Sequence, residues 1–222
     1  LSTFTVDQDI PFIKGLSIKG VFSYDLYSDF TKGFSKPAYY WTQDLTTTPY
    51  TYVRQISNME QNSPPYASLY EKYNKSQIFT YQGFVNYKRT FGSSEVSFLG
   101  VAELQKGNSK NLATSMKNLP LEIDEYDLGS SNPSDYTLGG STRESVHVGY
   151  VYRAGYVYRS KYLAEVAGRY DGHYYFAPGK RFALFPSFSL GWILSEEKFL
   201  QKLTFINNLK IRSSWGKSGN LA

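Results

Sequence analysis

The stretch LFPSFSLGWIL at residues 184–194 limits the possible folds more than any other part of the sequence. Apolar residues occupy every second position of it, and Ser187, Ser189 and Gly191 lie between them. Side chains alternate between two faces with this period only along an extended strand, so the spacing predicts a β-strand with one apolar and one polar face. The apolar face must contact either a protein core or lipid.

Six further segments alternate in the same way, and each is long enough to cross a bilayer as a tilted strand of about 9–11 residues. The seven predicted strands are residues 15–30, 77–88, 95–105, 146–158, 162–171, 184–195 and 208–216. One face of every strand has no charged residue. The opposite faces contain Lys19, Asp25, Lys88, Glu95, Glu103, Arg153, Glu165, Arg169, Asp171, Lys210 and Arg212. A charge near the midplane of a lipid-facing strand costs about 2–4 kcal/mol, so charge-free faces are typical of a membrane barrel.

The connections between these strands alternate in length. Residues 90–94 and 159–161 are tight turns, whereas 31–76, 106–145 and 172–183 are long and rich in Gly, Ser, Pro, Asn and Tyr. Bacterial outer-membrane barrels have short periplasmic turns and long extracellular loops, so this pattern favours such a barrel. A soluble antiparallel β-sandwich with aromatic residues in its core also has alternating strands and is an alternative.

Composition narrows the possible classes of protein further. No apolar run approaches the ~20 residues of a membrane helix, and the mean hydropathy is −0.42. The net charge of +5 comes from scattered Lys and Arg residues, which argues against a nucleic-acid partner. The sequence starts without a Met or a signal segment and stops within a strand pattern, so we expect it to be a piece of a longer protein.

Residues 145–220 contain an ordered series of motifs. YLAEVAGRYDG is followed by FAPGKR, FPSFSLGW, SEEKF and finally NLKIRSSWGKSGN. This series resembles the barrel of the SusC/RagA family of TonB-dependent outer-membrane transporters, and residues 11–25 and 81–99 are similar to the same barrel. Ile193 is a departure, because the family has a polar or basic residue at that position.

The resemblance implies an all-β fold, in which an antiparallel sheet of about seven long strands forms part of a transmembrane β-barrel of about 22 strands with long extracellular loops. Residues 1–222 would be a segment of one barrel domain, incomplete at both ends, without the plug domain and the TonB-contacting segment. Phe188, Leu190 and Trp192 would then face lipid, and the small residues between them would face the lumen.

The function implied by the resemblance is active import of a nutrient across the outer membrane of a Gram-negative bacterium. The expected cargo is a glycan or oligosaccharide, although family members also import peptides. A SusD-like lipoprotein would cover the extracellular mouth, and TonB would act through parts of the protein outside this chain. A soluble carbohydrate-binding β-sandwich and a passive porin, which has no plug, are the alternative functions.

Two aromatic clusters lie in the predicted extracellular connections. Their rings are candidates to stack on sugars or to pack against a partner protein. Alternatively, they belong to an aromatic girdle at the membrane surface or brace one loop against another. The candidate ligand or partner contacts are Tyr39, Tyr40, Trp41, Tyr174, Tyr175 and Phe176.

Candidate catalytic and metal-binding motifs are weak. His147 and His173 are the only histidines and fall on different predicted elements, which argues against a histidine-based catalytic or zinc site. Residues 122–127 include four carboxylates without the spacing of a known calcium loop, so we predict a solvated acidic loop. Glu196 and Glu197 are predicted to cap a short helical turn. We therefore predict no enzyme activity, no catalytic residue, no cofactor and no metal.

Overall fold

The structure is a computed structural model that describes residues 1–57, 66–200 and 207–219. Its strands are β1 (Ser2–Asp9), β2 (Leu16–Ser35), β3 (Tyr39–Asp44), β4 (Thr51–Ile56), β5 (Ser68–Phe91), β6 (Ser94–Lys117), β7 (Tyr136–Tyr158), β8 (Tyr162–His173), β9 (Phe182–Ile193) and β10 (Lys210–Gly216). Three short 3-10 helices occupy Tyr126–Leu128, Pro133–Asp135 and Leu194–Glu196. None of the helices in the described ranges is long and apolar enough to cross a membrane.

Eight strands form one antiparallel sheet in the order β1-β2-β5-β6-β7-β8-β9-β10, and β3 and β4 form a separate hairpin. All seven predicted strands are present, so the predicted fold class is confirmed. The prediction missed β1, β3 and β4. Strand β1 has only two large apolar residues, Phe4 and Val6, and β3 and β4 lie inside the predicted loop 31–76.

Strand registers confirm that the charge-free faces belong to one side of the sheet. On that side, Leu190 of β9 pairs with Ala164 of β8 and with Ser213 of β10. On the opposite side, the adjacent Ser189 pairs with Glu165. Since partners in a register share a face, the apolar and polar phases read from the sequence are correct for these three strands.

Several strands are longer than predicted. Strands β5 and β6 have 24 residues each, whereas β8 and β9 have 12. A tilted strand crosses the bilayer with about 9–11 residues, so β5 and β6 are about twice as long as a crossing requires. The predicted connections 31–76 and 106–145 are therefore wrong at their ends, because strand residues occupy part of each.

The chain forms two compact units. Unit 1 comprises Leu1–Asp25, Gln77–Asn108 and Glu144–Ala222, and unit 2 comprises Leu26–Ser76 and Ser109–Arg143.

In the described residues of unit 1, no apolar side chain is buried. Leu190 of β9 is 50% exposed, and Phe4, Val166 and Trp215 are exposed as well. A β-sandwich buries such residues in its core, so the soluble-sandwich alternative is wrong.

Unit 2 has a small core of its own. Leu69 and Met116 are fully buried, Ala67 and Leu119 pack with them, and Tyr126 covers the cluster. Burial raises the pKa of the Tyr126 hydroxyl, although this hydroxyl donates a hydrogen bond to a backbone carbonyl. The core shows that part of the predicted loop 106–145 is a packed structure.

Candidate functional site

The polar face of unit 1 has a row of charged side chains that spans four adjacent strands. Glu103 of β6 accepts a hydrogen bond from Gln82 of β5, and its other oxygen lies 3.7 Å from the Arg169 guanidinium of β8. Arg169 Nε donates to both oxygens of Asp171 at 2.6 and 2.7 Å. Nε2 of His147, on β7, lies 4.0 Å from Asp171 Oδ1. This row provides charged and hydrogen-bonding groups on the side opposite the charge-free face.

Two further ion pairs lie on the polar face. Arg153 Nη2 is 2.6 Å from Glu165 Oε2, and Lys88 Nζ is 3.0 Å from Glu95 Oε1. All four residues belong to the charged phase that the sequence predicts. Charge in unit 1 is therefore concentrated on one face, and several of its members are ion-paired there.

The two histidines are neighbours. His147 pairs with His173 across β7 and β8, and their ring centroids are 5.7 Å apart. The sequence shows only that they lie on different elements, because the register between two strands is not visible in it. Within the described ranges, no three His, Asp or Glu side chains come together as metal ligands.

The predicted cluster at residues 174–176 follows the end of β8. The His173 ring lies 4.8 Å from the Tyr174 ring and 6.3 Å from the Phe176 ring, and the Tyr175 N–H donates to His173 Nδ1 at 3.2 Å. Arg181 Nε donates to the Phe176 carbonyl oxygen at 3.0 Å. Tyr175 is 76% exposed, so its ring is the most accessible of the three.

The predicted cluster at residues 39–41 lies on β3, where successive side chains point to opposite faces. Tyr39 is engaged within unit 2. Its hydroxyl donates to Glu122, and the Arg54 guanidinium lies 3.4 Å from its ring centroid. Trp41, on the same face as Tyr39, is 64% exposed, and Tyr40 is exposed on the other face. The three residues therefore do not form a single surface.

The sequence reasoning missed the contribution of β4 to the Trp41 face. Trp41 pairs with Arg54, and Gln43 pairs with Tyr52, so these four side chains share one face of the hairpin. Tyr52 is as exposed as Trp41. The β-branched and aromatic residues of TYVRQI at residues 51–56 are the signal that could have identified this strand.

The acidic segment 122–127 is less solvated than predicted. Arg54 Nη2 lies 3.1 Å from Glu122 Oε1, and Lys32 Nζ lies 3.1 Å from Asp124 Oδ2. The Lys32 ammonium also donates to the Asp124 carbonyl oxygen. The hydrogen bond to the Asp124 carboxylate, and then the charge of that carboxylate, raise the pKa of Lys32. Two of the four carboxylates are thus ion-paired within unit 2.

A stacked row of aromatic rings lies at the end of unit 1 with the short turns. Tyr162 stacks between Tyr158 and Trp192, with centroid distances of 6.4 and 6.3 Å. The Glu197 carboxylate accepts hydrogen bonds from the Tyr162 hydroxyl at 2.7 Å, Trp192 Nε1 at 3.2 Å and Lys161 Nζ at 3.2 Å. Glu197 occupies the C-cap position of the 3-10 helix, where its backbone N–H donates to the Leu194 carbonyl oxygen at 2.9 Å, while its side chain binds these three groups.

We expect the Glu197 cluster to make stability depend on pH. The Tyr162 hydroxyl, and then Trp192 and Lys161, hold the pKa of Glu197 below its usual value of 4.5. The carboxylate therefore stabilises the folded state above that pH, and this contribution is lost as the pH falls through the lowered pKa. In urea titrations of the full-length protein between about pH 3 and 7, Glu197→Gln should flatten the acid limb of the stability profile. Parallel profiles for wild type and variant would contradict this.

Two known proteins to which this chain is similar are both named TonB-dependent receptors. No protein-family model matches it. TonB-dependent receptor P39 of Formosa agariphila is 31% identical over 158 residues, which make up 68% of this chain and 14% of that protein. TonB-dependent receptor SusC of Bacteroides thetaiotaomicron is 26% identical over 181 residues, 80% of this chain and 16% of that protein. The chain thus spans about a seventh of the length of these relatives.

Solved structures agree on the fold. The RagAB peptide transporter matches with a TM-score of 0.73 and 18% identity, over 92% of this chain and 21% of that chain. The RagAB peptide importer in its open-open state gives the same TM-score over 96% of this chain and 22% of that chain. A sheet with one charge-free, unburied face defines the wall of an outer-membrane β-barrel. The chain belongs to the SusC/RagA family of TonB-dependent outer-membrane transporters, which confirms the resemblance and the predicted location.

Proposed function

We propose that this chain is part of the barrel domain of an importer that carries a nutrient across the outer membrane in a TonB-dependent step. The observation that carries the proposal is the two-sided sheet of unit 1, with an exposed charge-free face and an ion-paired polar face. Lipid would contact the first face, and the second would line the lumen. The relatives are named receptors and transporters, which supports import over catalysis and a TonB-dependent importer over a passive porin.

We infer that the cargo is a glycan or oligosaccharide, that a SusD-like lipoprotein covers the extracellular mouth, and that TonB acts through other parts of the protein. The exposed rings of Trp41 and Tyr175 support a sugar cargo, because aromatic faces pack against apolar faces of ligands. A peptide is the second candidate. The charged row of Glu103, Arg169 and Asp171 favours it, because a peptide offers charges that such a row can pair with.

Substitution of the exposed rings in the full-length receptor tests the cargo. We expect Trp41→Ala and Tyr175→Ala each to weaken oligosaccharide binding about three- to tenfold, the equivalent of one aromatic contact. Binding and uptake of labelled oligosaccharide and labelled peptide should be measured side by side. Tyr27→Ala is the matched control, because Tyr27 is as exposed as Trp41 but lies outside both clusters.

The possible results of these experiments test the cargo and the import mechanism separately. Unchanged oligosaccharide binding in both variants would remove these rings as ligand contacts, and selective loss of peptide uptake would favour the peptide cargo. Uptake that persists in cells without TonB would contradict the import mechanism itself, whichever cargo is carried.

A further inference from the structure

Neighbouring short turns of unit 1 are joined by backbone hydrogen bonds. The Lys88 N–H donates to the Gly15 carbonyl at 2.8 Å, and the Arg159 N–H donates to the Ser93 carbonyl at 2.7 Å. The ends of β2, β5, β6 and β7 therefore meet in one row. We call the residues of this row, together with the aromatic stack beside it, the short-turn rim: residues 10–15, 88–94, 158–162 and 192–198.

The short-turn rim is rich in cations. Its basic residues are Lys14, Lys88, Arg89, Arg159, Lys161 and Lys198. Lys88 and Lys161 pair with carboxylates. Arg89 and Arg159 have no carboxylate within 4.0 Å in the described part of the chain, and each lies over an aromatic ring instead. The distances to the ring centroids are 4.8 Å from Arg89 to Phe91 and 5.1 Å from Arg159 to Tyr158.

Both rings belong to the charge-free face. Phe91 has the phase of Tyr81 and Val85 on β5, and Tyr158 pairs with Tyr162 in the aromatic stack. Arg89 shares the phase of Phe91, so it is the first charge met on this face towards the short turns. Aromatic side chains at such a position sit at the level of the lipid headgroups. The two guanidinium groups are thus held at the lipid side of the rim.

The backbone at Arg159 is strained. Arg159 has φ 47° and Ser160 has φ 55°, both in the left-handed region, and the turn closes with a hydrogen bond from the Lys161 N–H to the Tyr158 carbonyl at 3.0 Å. Asn or Gly adopts this conformation at lower cost than Arg does. A residue kept in an unfavourable conformation points to a role for its side chain.

We propose that Arg89 and Arg159 bind the phosphate of anionic phospholipid headgroups at the short-turn rim. Guanidinium groups form strong, bidentate hydrogen bonds with phosphate, and stacking on Phe91 and Tyr158 leaves their N–H edges free to do so. Strand β6 separates β5 from β7, which places their backbones about 10 Å apart, a distance that neighbouring headgroups can bridge. The membrane thereby supplies the counter-charge that no carboxylate of the rim provides.

Lipid retention by the full-length receptor tests this site. The receptor is placed in nanodiscs of phosphatidylglycerol and phosphatidylcholine in equal amounts, and the phosphatidylglycerol that stays bound after mild detergent extraction is counted by native mass spectrometry. We expect Arg89→Gln and Arg159→Asn each to lower retention about fivefold, the effect of one basic residue near an anionic surface. Arg159→Asn also relieves the strained backbone, so it should fold at least as well as wild type in phosphatidylcholine alone.

Two controls distinguish lipid binding at this site from a general effect of positive charge and from binding of free phosphate. Arg212→Gln removes a cation from the opposite face and should leave retention unchanged. Inorganic phosphate should not displace the lipid. Equal retention in wild type and in the Arg89→Gln/Arg159→Asn double variant would overturn the proposal, and so would an equal loss in Arg212→Gln. Full displacement by inorganic phosphate would replace the lipid with a free anion as the ligand.

Discussion

Leu190→Arg should clearly lower the stability of the full-length receptor in a bilayer, whereas Ser189→Arg should be tolerated. Leu190 lies on the charge-free face of β9, three residues before the strand ends, between Ala164 and Ser213, and half of its surface is exposed. If that face contacts acyl chains, Leu190→Arg should cost about 2 kcal/mol of folding free energy, between the cost at the midplane and the cost at the membrane surface. The measurement is equilibrium folding into lipid vesicles across a urea gradient.

Ser189→Arg is the matched control, because it adds the same side chain one residue away on the opposite face. Ser189 pairs with Glu165, so the new guanidinium has a carboxylate nearby and a polar surface around it. The difference in folding free energy between the two variants measures the effect of the face alone, because the general cost of an added arginine is common to both. Equal destabilisation by the two would show that the charge-free face does not contact lipid.

The strands that cross the bilayer were predictable because lipid imposes a strict rule on them. A face in contact with acyl chains cannot contain charge, and this exclusion leaves a period of two in the sequence. The rule ends where the strands leave the bilayer. Lys32 of β2, Lys75 of β5 and Lys106 of β6 occupy the phase that is apolar elsewhere on their strands. The predicted strands therefore stopped too early, and the extra strand length was assigned to loops.

The contacts of the candidate site were less predictable, since they depend on which strands pair and in what register. Tyr39 is held by Arg54 and Glu122, which lie on β4 and in the acidic segment. His147 and His173 are 26 positions apart in the chain yet share one rung of β7 and β8. Periodicity within one segment carries no information about these partners, so the aromatic run at residues 39–41 was found but its division between two faces was not.

The core of unit 2 left no periodic signal, because its members come from separate parts of the chain. We expect Leu69→Ala to destabilise this unit by about 2–5 kcal/mol, the usual cost of truncating a fully buried leucine. Leu69 is 1% exposed and packs with Met116 and Leu119, so the cavity has few mobile groups to fill it. Met116 already packs directly against the backbone of Gly129, because a Cβ atom added at this glycine would lie 1.9 Å from Met116 Sδ. This contact limits how far the core can rearrange around the cavity.

Hydrogen exchange of the full-length receptor can measure this loss of stability in unit 2, because it reports local opening separately from global unfolding. Protection of residues 68–76 and 109–117 should fall at least about thirtyfold in Leu69→Ala, as a loss of 2 kcal/mol requires, while β9 keeps its protection. Leu121→Ala is the matched control, because Leu121 is an exposed leucine of the same unit and its removal opens no cavity. If the two variants exchange alike, the buried cluster contributes no more than a surface contact, and unit 2 owes its structure to strand pairing alone.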